Sequence, residues 1–139
     1  MPPLQYNYVY QIKAQYPDLP IIINGQINTL EDVQQHMRYV DGVMIGRLAC
    51  KDPYALAMLE SFFCPHVIIR SRYNIAKDYF YYLQAQDVNC SQSFAILLKP
   101  LYNFAHGLPA AKHFKQLLLV AQTQRSMIAL LDAINWLSY

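Results

Sequence analysis

The chain of 139 residues contains no CxxC pair; its three cysteines, Cys50, Cys64 and Cys90, are odd in number and far apart. Their spacing excludes a paired-thiol zinc or redox motif and argues against a disulfide framework, which leaves buried free thiols in a reducing cytosol. Long hydrophobic runs are also missing. Phe94–Leu98 and Leu117–Ala121 are far too short to span a bilayer, and Lys99 and Pro100 end the first of them. The opening MPPLQYNYVY has neither the basic region nor the apolar stretch of a signal peptide, so the chain reads as cytoplasmic, without a membrane segment. No two carboxylates stand out as an acid–base pair, and no nucleophile has an evident base. His36, on a helix rich in polar residues, reads as solvated, and His66, His106 and His113 share no ligand spacing. The residues therefore assign no catalytic group and no metal site. There is neither an internal repeat nor a low-complexity segment.

Acidic residues are scarce where basic ones gather. Residues 1–64 carry four basic side chains against six acidic ones, a net of −2; residues 65–139 carry seven against three, a net of +4. No acid lies between Asp87 and Asp132, while Lys99, Lys112, Lys115 and Arg125 do. Such a half can face a polyanion, or it can be an ordinary solvated helical surface. Hydrophobic residues make up 55% of the chain, with twelve Tyr and six Phe, against only 14% charged. A well-buried chain accounts for this, as does apolar surface intended for a partner.

Periodicity divides the chain at about residue 64. Tyr8–Tyr16 has helical spacing, and the turn Pro17-Asp18-Leu19-Pro20 stops it. Ile21–Ile23 is a short β-branched run, as expected of a strand covered on both faces. Asn24-Gly25 ends it. Thr29 is placed to cap a helix running to about Tyr39, with Glu31 and Asp32 in its first turn and Leu30, Val33 and Met37 on one face. Val43–Ile45 is a second strand, closed by Gly46-Arg47, and Asp52-Pro53 reads as N-cap and first residue of another helix. Past Cys64-Pro65 strand patterns nearly vanish, Val67–Ile69 being too short to decide. Helices are predicted at Arg72–Gln84, Ser91–Ala105, Ala110–Gln122 and Ser126–Leu137, with Gly107 and Pro109 separating the second and third.

Strand, Asn-Gly turn, helix, strand, Gly-Arg turn, helix: Ile21–Leu56 offers glycine and backbone N–H groups at two consecutive strand-to-helix turns. The last two loops of a (β/α)8 barrel hold a phosphate in this way. Glycine gives close approach, and Arg47 can pair bidentately with phosphate oxygens. By spacing alone, Asn24, Gly25, Gln26, Gly46 and Arg47 are either a phosphate site or ordinary turn residues. Cys50 lies just past the second turn, where an idle thiol is the common outcome. Lys112 and Lys115, three apart, share a helix face away from Phe114, Leu117 and Leu118, and either meet two backbone phosphates of a nucleic acid or are simply solvated.

The run PPLQYNYVYQIKAQYPDLPIIINGQINTLEDVQQHMRYVDGVMIGRLACKDPYAL closely resembles the last barrel strands of A-type flavin-dependent tRNA-dihydrouridine synthases, and KPLYNFAHGLPAAKHFKQLL resembles that family's C-terminal helical domain. The resemblance implies an α/β then all-α fold: the last two βα units of a TIM (β/α)8 barrel in residues 1–64, and a helical tRNA-binding domain in 65–139. It implies a reaction in which NADPH reduces FMN and FMN passes hydride to the 5,6 double bond of a uridine in tRNA. It carries FMN phosphate binding to Asn24, Gly25, Gln26, Gly46 and Arg47, and tRNA contact to Lys112 and Lys115, where the family commonly has arginine. Two departures follow. The family has a second glycine where this chain has Gln26, a position expected to have positive φ. The family's proton-donating cysteine lies upstream of the matched region, so Cys50, Cys64 and Cys90 inherit no role. Three readings follow. The first is an inactive fragment or one half of a split enzyme, completed by an N-terminal barrel chain in trans. The second is a tRNA-binding helical module without chemistry, and the third a structural remnant. Two strands with open edges leave a second copy of the chain as another way to cover them.

Overall fold

The computed structural model describes residues 3–85 and 93–138. The chain forms two compact units, residues 1–49 and 50–139. No described helix is long and apolar enough to cross a membrane.

In the first unit, α1 (Tyr6–Gln15) precedes β1 (Ile22–Asn24), α2 (Leu30–His36) and β2 (Gly42–Met44). The strands are parallel, with Ile22 opposite Gly42 and Asn24 opposite Met44. Parallel neighbours need a crossover, which α2 supplies. Asp41 sets the register: its Oδ2 accepts from the Ile21 N–H at 2.8 Å, while its own N–H donates to the Ile21 carbonyl at 3.1 Å. Lys13 binds that carboxylate at 2.8 Å and also donates to the Pro17 and Leu19 carbonyls, tying the turn after α1 to the start of β2. Thr29 caps α2 as expected, within a full capping box: its hydroxyl accepts from the Asp32 N–H while Asp32 accepts from the Thr29 N–H. The helix ends at His36, short of Tyr39.

Two expectations for this unit are corrected. β1 is covered on one face only: Ile23 is 3% exposed and Ile22 69%, the alternation of a half-buried strand. His36 is buried, not solvated. Its Nδ1 lies 2.6 Å from the Tyr10 hydroxyl, and the Tyr6 ring meets it edge-on. A polar helix position became interior because α1 covers it with tyrosines that can pair with its ring nitrogen.

After the short α3 (Arg47–Lys51), the second unit contains α4 (Ala55–Phe63), α5 (Arg72–Ala85), α6 (Phe94–Leu98), α7 (Ala111–Gln124) and α8 (Met127–Asn135). Its core is helical: Ala76, Phe80 and Leu83 of α5 meet Leu98, then Phe114, Leu118 and Ala121 of α7, then Leu130, Ala133 and Ile134 of α8. The three- and four-residue spacings give each helix one apolar stripe. Trp136, in a closing 3-10 turn, stacks on Phe114 at 5.7 Å. Ser126 caps α8 by accepting from the Ala129 N–H.

Here too the structure departs from the sequence reading. The helix expected over Ser91–Ala105 breaks after Leu98, where Lys99–Leu101 is a 3-10 turn and residues 102–107 are successive turns. Pro100 has no N–H to continue the ladder; Ser91 and Cys90 lie outside the described residues. Asp52 does not cap α4, whose N-cap is Tyr54 with no side-chain bond. Arg47–Lys51, unforeseen, is helical. Cys50 and Cys64 are free but exposed, not buried.

Candidate functional site

β1 and β2 end side by side, and the turns that leave them enclose a small cavity lined by Asn24, Gly25, Gln26, Ile27, Met44, Gly46 and Arg47. All five turn residues singled out in the sequence line it together. The cavity measures about 140 Å³. A water occupies about 30 Å³ and drug-sized ligands fill about 300 Å³ or more, so the space suits one phosphate group and not a ring system. Arg47 is exposed at its edge and makes no ion pair among the described residues.

The first turn has unusual backbone. Gly25 has φ +128° and Gln26 φ +47°. A glycine adopts the first freely; a side chain there would also put its Cβ 2.7 Å from Leu4 Cδ1. Gln26 occupies the left-handed region despite its Cβ, at a cost of about 1 kcal/mol. Its carbonyl is held by Asn28 Nδ2 at 2.7 Å, and the Gly25 carbonyl accepts from the Tyr6 hydroxyl at 2.7 Å. These two bonds turn the carbonyls toward side chains and hold the loop in its bent form. The shape expected of a second glycine is therefore present with glutamine in its place. The residues fit a phosphate: a cavity of matching size, a glycine-led loop held open, and a cation at the rim.

In the second unit, Lys112 and Lys115 are both exposed on α7, while Phe114 and Leu118 of the same helix are buried. They differ in what holds them. Lys115 Nζ donates to Asn103 Oδ1 at 3.1 Å, and Asn103 Nδ2 donates to the Cys50 carbonyl at 2.8 Å. Beside Asn103, Arg72 donates to the carbonyls of Phe104 and His106, each at 3.0 Å, with its guanidinium 4.0 Å above the Tyr54 ring. Asp52 Oδ2 lies 3.5 Å from His106 Nδ1, so the carboxylate read as a helix cap serves the 102–107 turns instead. Asn103, Arg72 and Tyr54 were not picked out from sequence. Their partners lie up to 53 residues away, and no local pattern encodes such contacts.

Fold and cavity together define a βαβ element with its cavity at the carboxyl ends of parallel strands, where α/β proteins hold ligands. The family described as "Dihydrouridine synthase (Dus)" matches residues 1–136. A tRNA-dihydrouridine(20/20a) synthase of Xanthomonas campestris is 35% identical over 120 residues, covering 85% of this chain and 35% of that protein. Its namesake from Shewanella oneidensis is 34% identical over 119 residues, with the same coverage. That of Pasteurella multocida reaches 50% over 60 residues, covering 43% of this chain and 18% of the relative. The chain thus belongs to the dihydrouridine synthase family, and it spans about a third of the length of the first two relatives.

Proposed function

We propose that this chain is the phosphate-holding and tRNA-contacting part of a flavin-dependent tRNA-dihydrouridine synthase, its two strands being the seventh and eighth of a TIM barrel. The observation that carries the reading is the cavity shared by the Asn24–Ile27 turn and the Met44–Arg47 turn, in a chain of this family. Asn24, Gly25, Gln26 and Gly46 would surround the FMN phosphate, with Arg47 neutralising it through paired N–H donors. FMN, when bound, supplies to a tRNA uridine the hydride that NADPH has given it. The residues of this chain hold the cofactor's phosphate and present Lys112 and Lys115 to tRNA backbone phosphates. Proton donation to the base is assigned to none of them; it belongs to barrel sequence supplied in cis or by another chain, and the setting is the cytoplasm.

The test is a thermal melt with FMN and with riboflavin, which lacks the phosphate. An upward shift with FMN that exceeds the shift with riboflavin supports the reading. Equal shifts, or none, remove the phosphate site. A second reading has an observation of its own: residues 50–139 form a compact unit with its own core, which suits a non-catalytic tRNA-binding module. Salt-sensitive tRNA binding without any response to FMN would favour it.

A further inference from the structure

Two lysines on one helix face are equal as charges, but only one is built into the fold. We infer that Asn103 is a positioning residue that fixes Lys115 as the register-setting phosphate contact, while Lys112 contributes charge alone; the inference rests on the reading of α7 as the tRNA face. Both ends of the Asn103 amide are engaged, Oδ1 by Lys115 Nζ at 3.1 Å and Nδ2 by the Cys50 carbonyl at 2.8 Å. Flipping the amide would set donor against donor and acceptor against acceptor, so its orientation is determined. The backbone beneath is anchored as well. Leu101, Phe104 and Ala105 are buried in the core, and Arg72 holds the Phe104 carbonyl. A lysine ammonium has three donors, and the bond to Asn103 leaves two for a phosphate. The ordering of a long side chain is thus paid in the fold instead of on binding. Among the described residues Lys112 has no hydrogen bond of this kind.

The experiment measures binding of an unmodified tRNA transcript by fluorescence anisotropy across a salt series, with the melting temperature of each variant as the folding control. Lys115→Ala should weaken binding and flatten the salt slope by close to one unit, which reduces the affinity ratio between 50 and 200 mM salt about 3-fold. Asn103→Ala should keep the slope, because the charge remains, and lose affinity by about 2- to 10-fold, the cost of ordering a freed lysine. Added to Lys115→Ala, the Asn103→Ala change should have no further effect. Asn103→Asp gives an independent arm: it traps the ammonium in an ion pair and should flatten the slope as Lys115→Ala does. If Lys115→Ala changes nothing, the reading of α7 as the tRNA face falls, and this inference with it. If Lys115→Ala acts but Asn103→Ala does not, or acts equally on both backgrounds, Asn103 has no positioning role. Binding and slope unchanged in Asn103→Asp would overturn the inference even if Asn103→Ala failed to fold.

Discussion

Arg72 ties the second unit's 102–107 turns to α5. Its Nε and one terminal nitrogen donate to two carbonyls in the 102–107 turns, Phe104 and His106, each at 3.0 Å, and its guanidinium lies 4.0 Å from the centre of the Tyr54 ring. Hydrogen bonds from a charged donor are each worth about 1.5 kcal/mol or more, and a cation–π contact at a partly exposed site about 0.5–1 kcal/mol. Arg72 is only partly buried and one of its bonds is exposed, so water replaces part of what is lost. The expected cost of Arg72→Ala is then about 2 kcal/mol. Lysine keeps the charge but not the fork, so Arg72→Lys should lose about half as much. Trp136 is the only tryptophan and stacks on Phe114 in this unit's core, so its fluorescence follows the unit directly during a urea or thermal melt. For a cooperative unit of this size, 2 kcal/mol lowers the midpoint by roughly 10 °C. A fall below about 2 °C for Arg72→Ala would refute the reasoning, as would Arg72→Lys losing as much as alanine.

Further predictions concern the first unit. Gln26→Gly should stabilise it by about 0.5 kcal/mol in a urea melt. Relief of the left-handed strain outweighs glycine's larger unfolded-state entropy, and a loss instead would show that the Gln26 side chain contributes contacts of its own. Gly25→Ala should destabilise it by more than about 1 kcal/mol, since φ +128° and the crowding by Leu4 act together. Asp41 is held below the ordinary carboxylate range, first by the Lys13 hydrogen bond and then by the Ile21 N–H; Asp32 is held low chiefly by the Asn28 N–H. A depressed carboxylate stabilises above its unfolded pKa of about 3.9, and that stability is lost as pH falls through the folded value. The first unit should therefore weaken below about pH 4. Asp41→Asn should be less stable near neutrality and lose less on acidification; an unchanged acid profile would count against this cause.

Local features of the fold were legible because they depend on local chemistry. The Pro17–Pro20 stop and the Thr29 cap follow from neighbours a few residues apart. So does the left-handed turn at Gly107, which has φ +78°. The failures came where distant residues decide. Tyr10, 26 residues away, makes a buried partner of His36, and the Asn103–Cys50 bond joins a turn to α3 across a separation that no periodicity relates. Pro100 was legible as a breaker, yet the apolar spacing around it suggested one long helix; the missing N–H prevailed. The cavity at the strand ends was legible as two glycine turns. The stapling of its first loop by Tyr6 and Asn28 was not.

The most direct test of the central claim is the phosphorus-31 resonance of FMN titrated with this chain, because it observes the phosphate itself. The account predicts that the resonance broadens and shifts with wild-type protein, that excess inorganic phosphate reverses the change, and that Arg47→Ala abolishes it while the fold persists. A resonance that never moves, or one that moves equally with Arg47→Ala, would contradict the assignment of the Asn24–Arg47 cavity as a phosphate site.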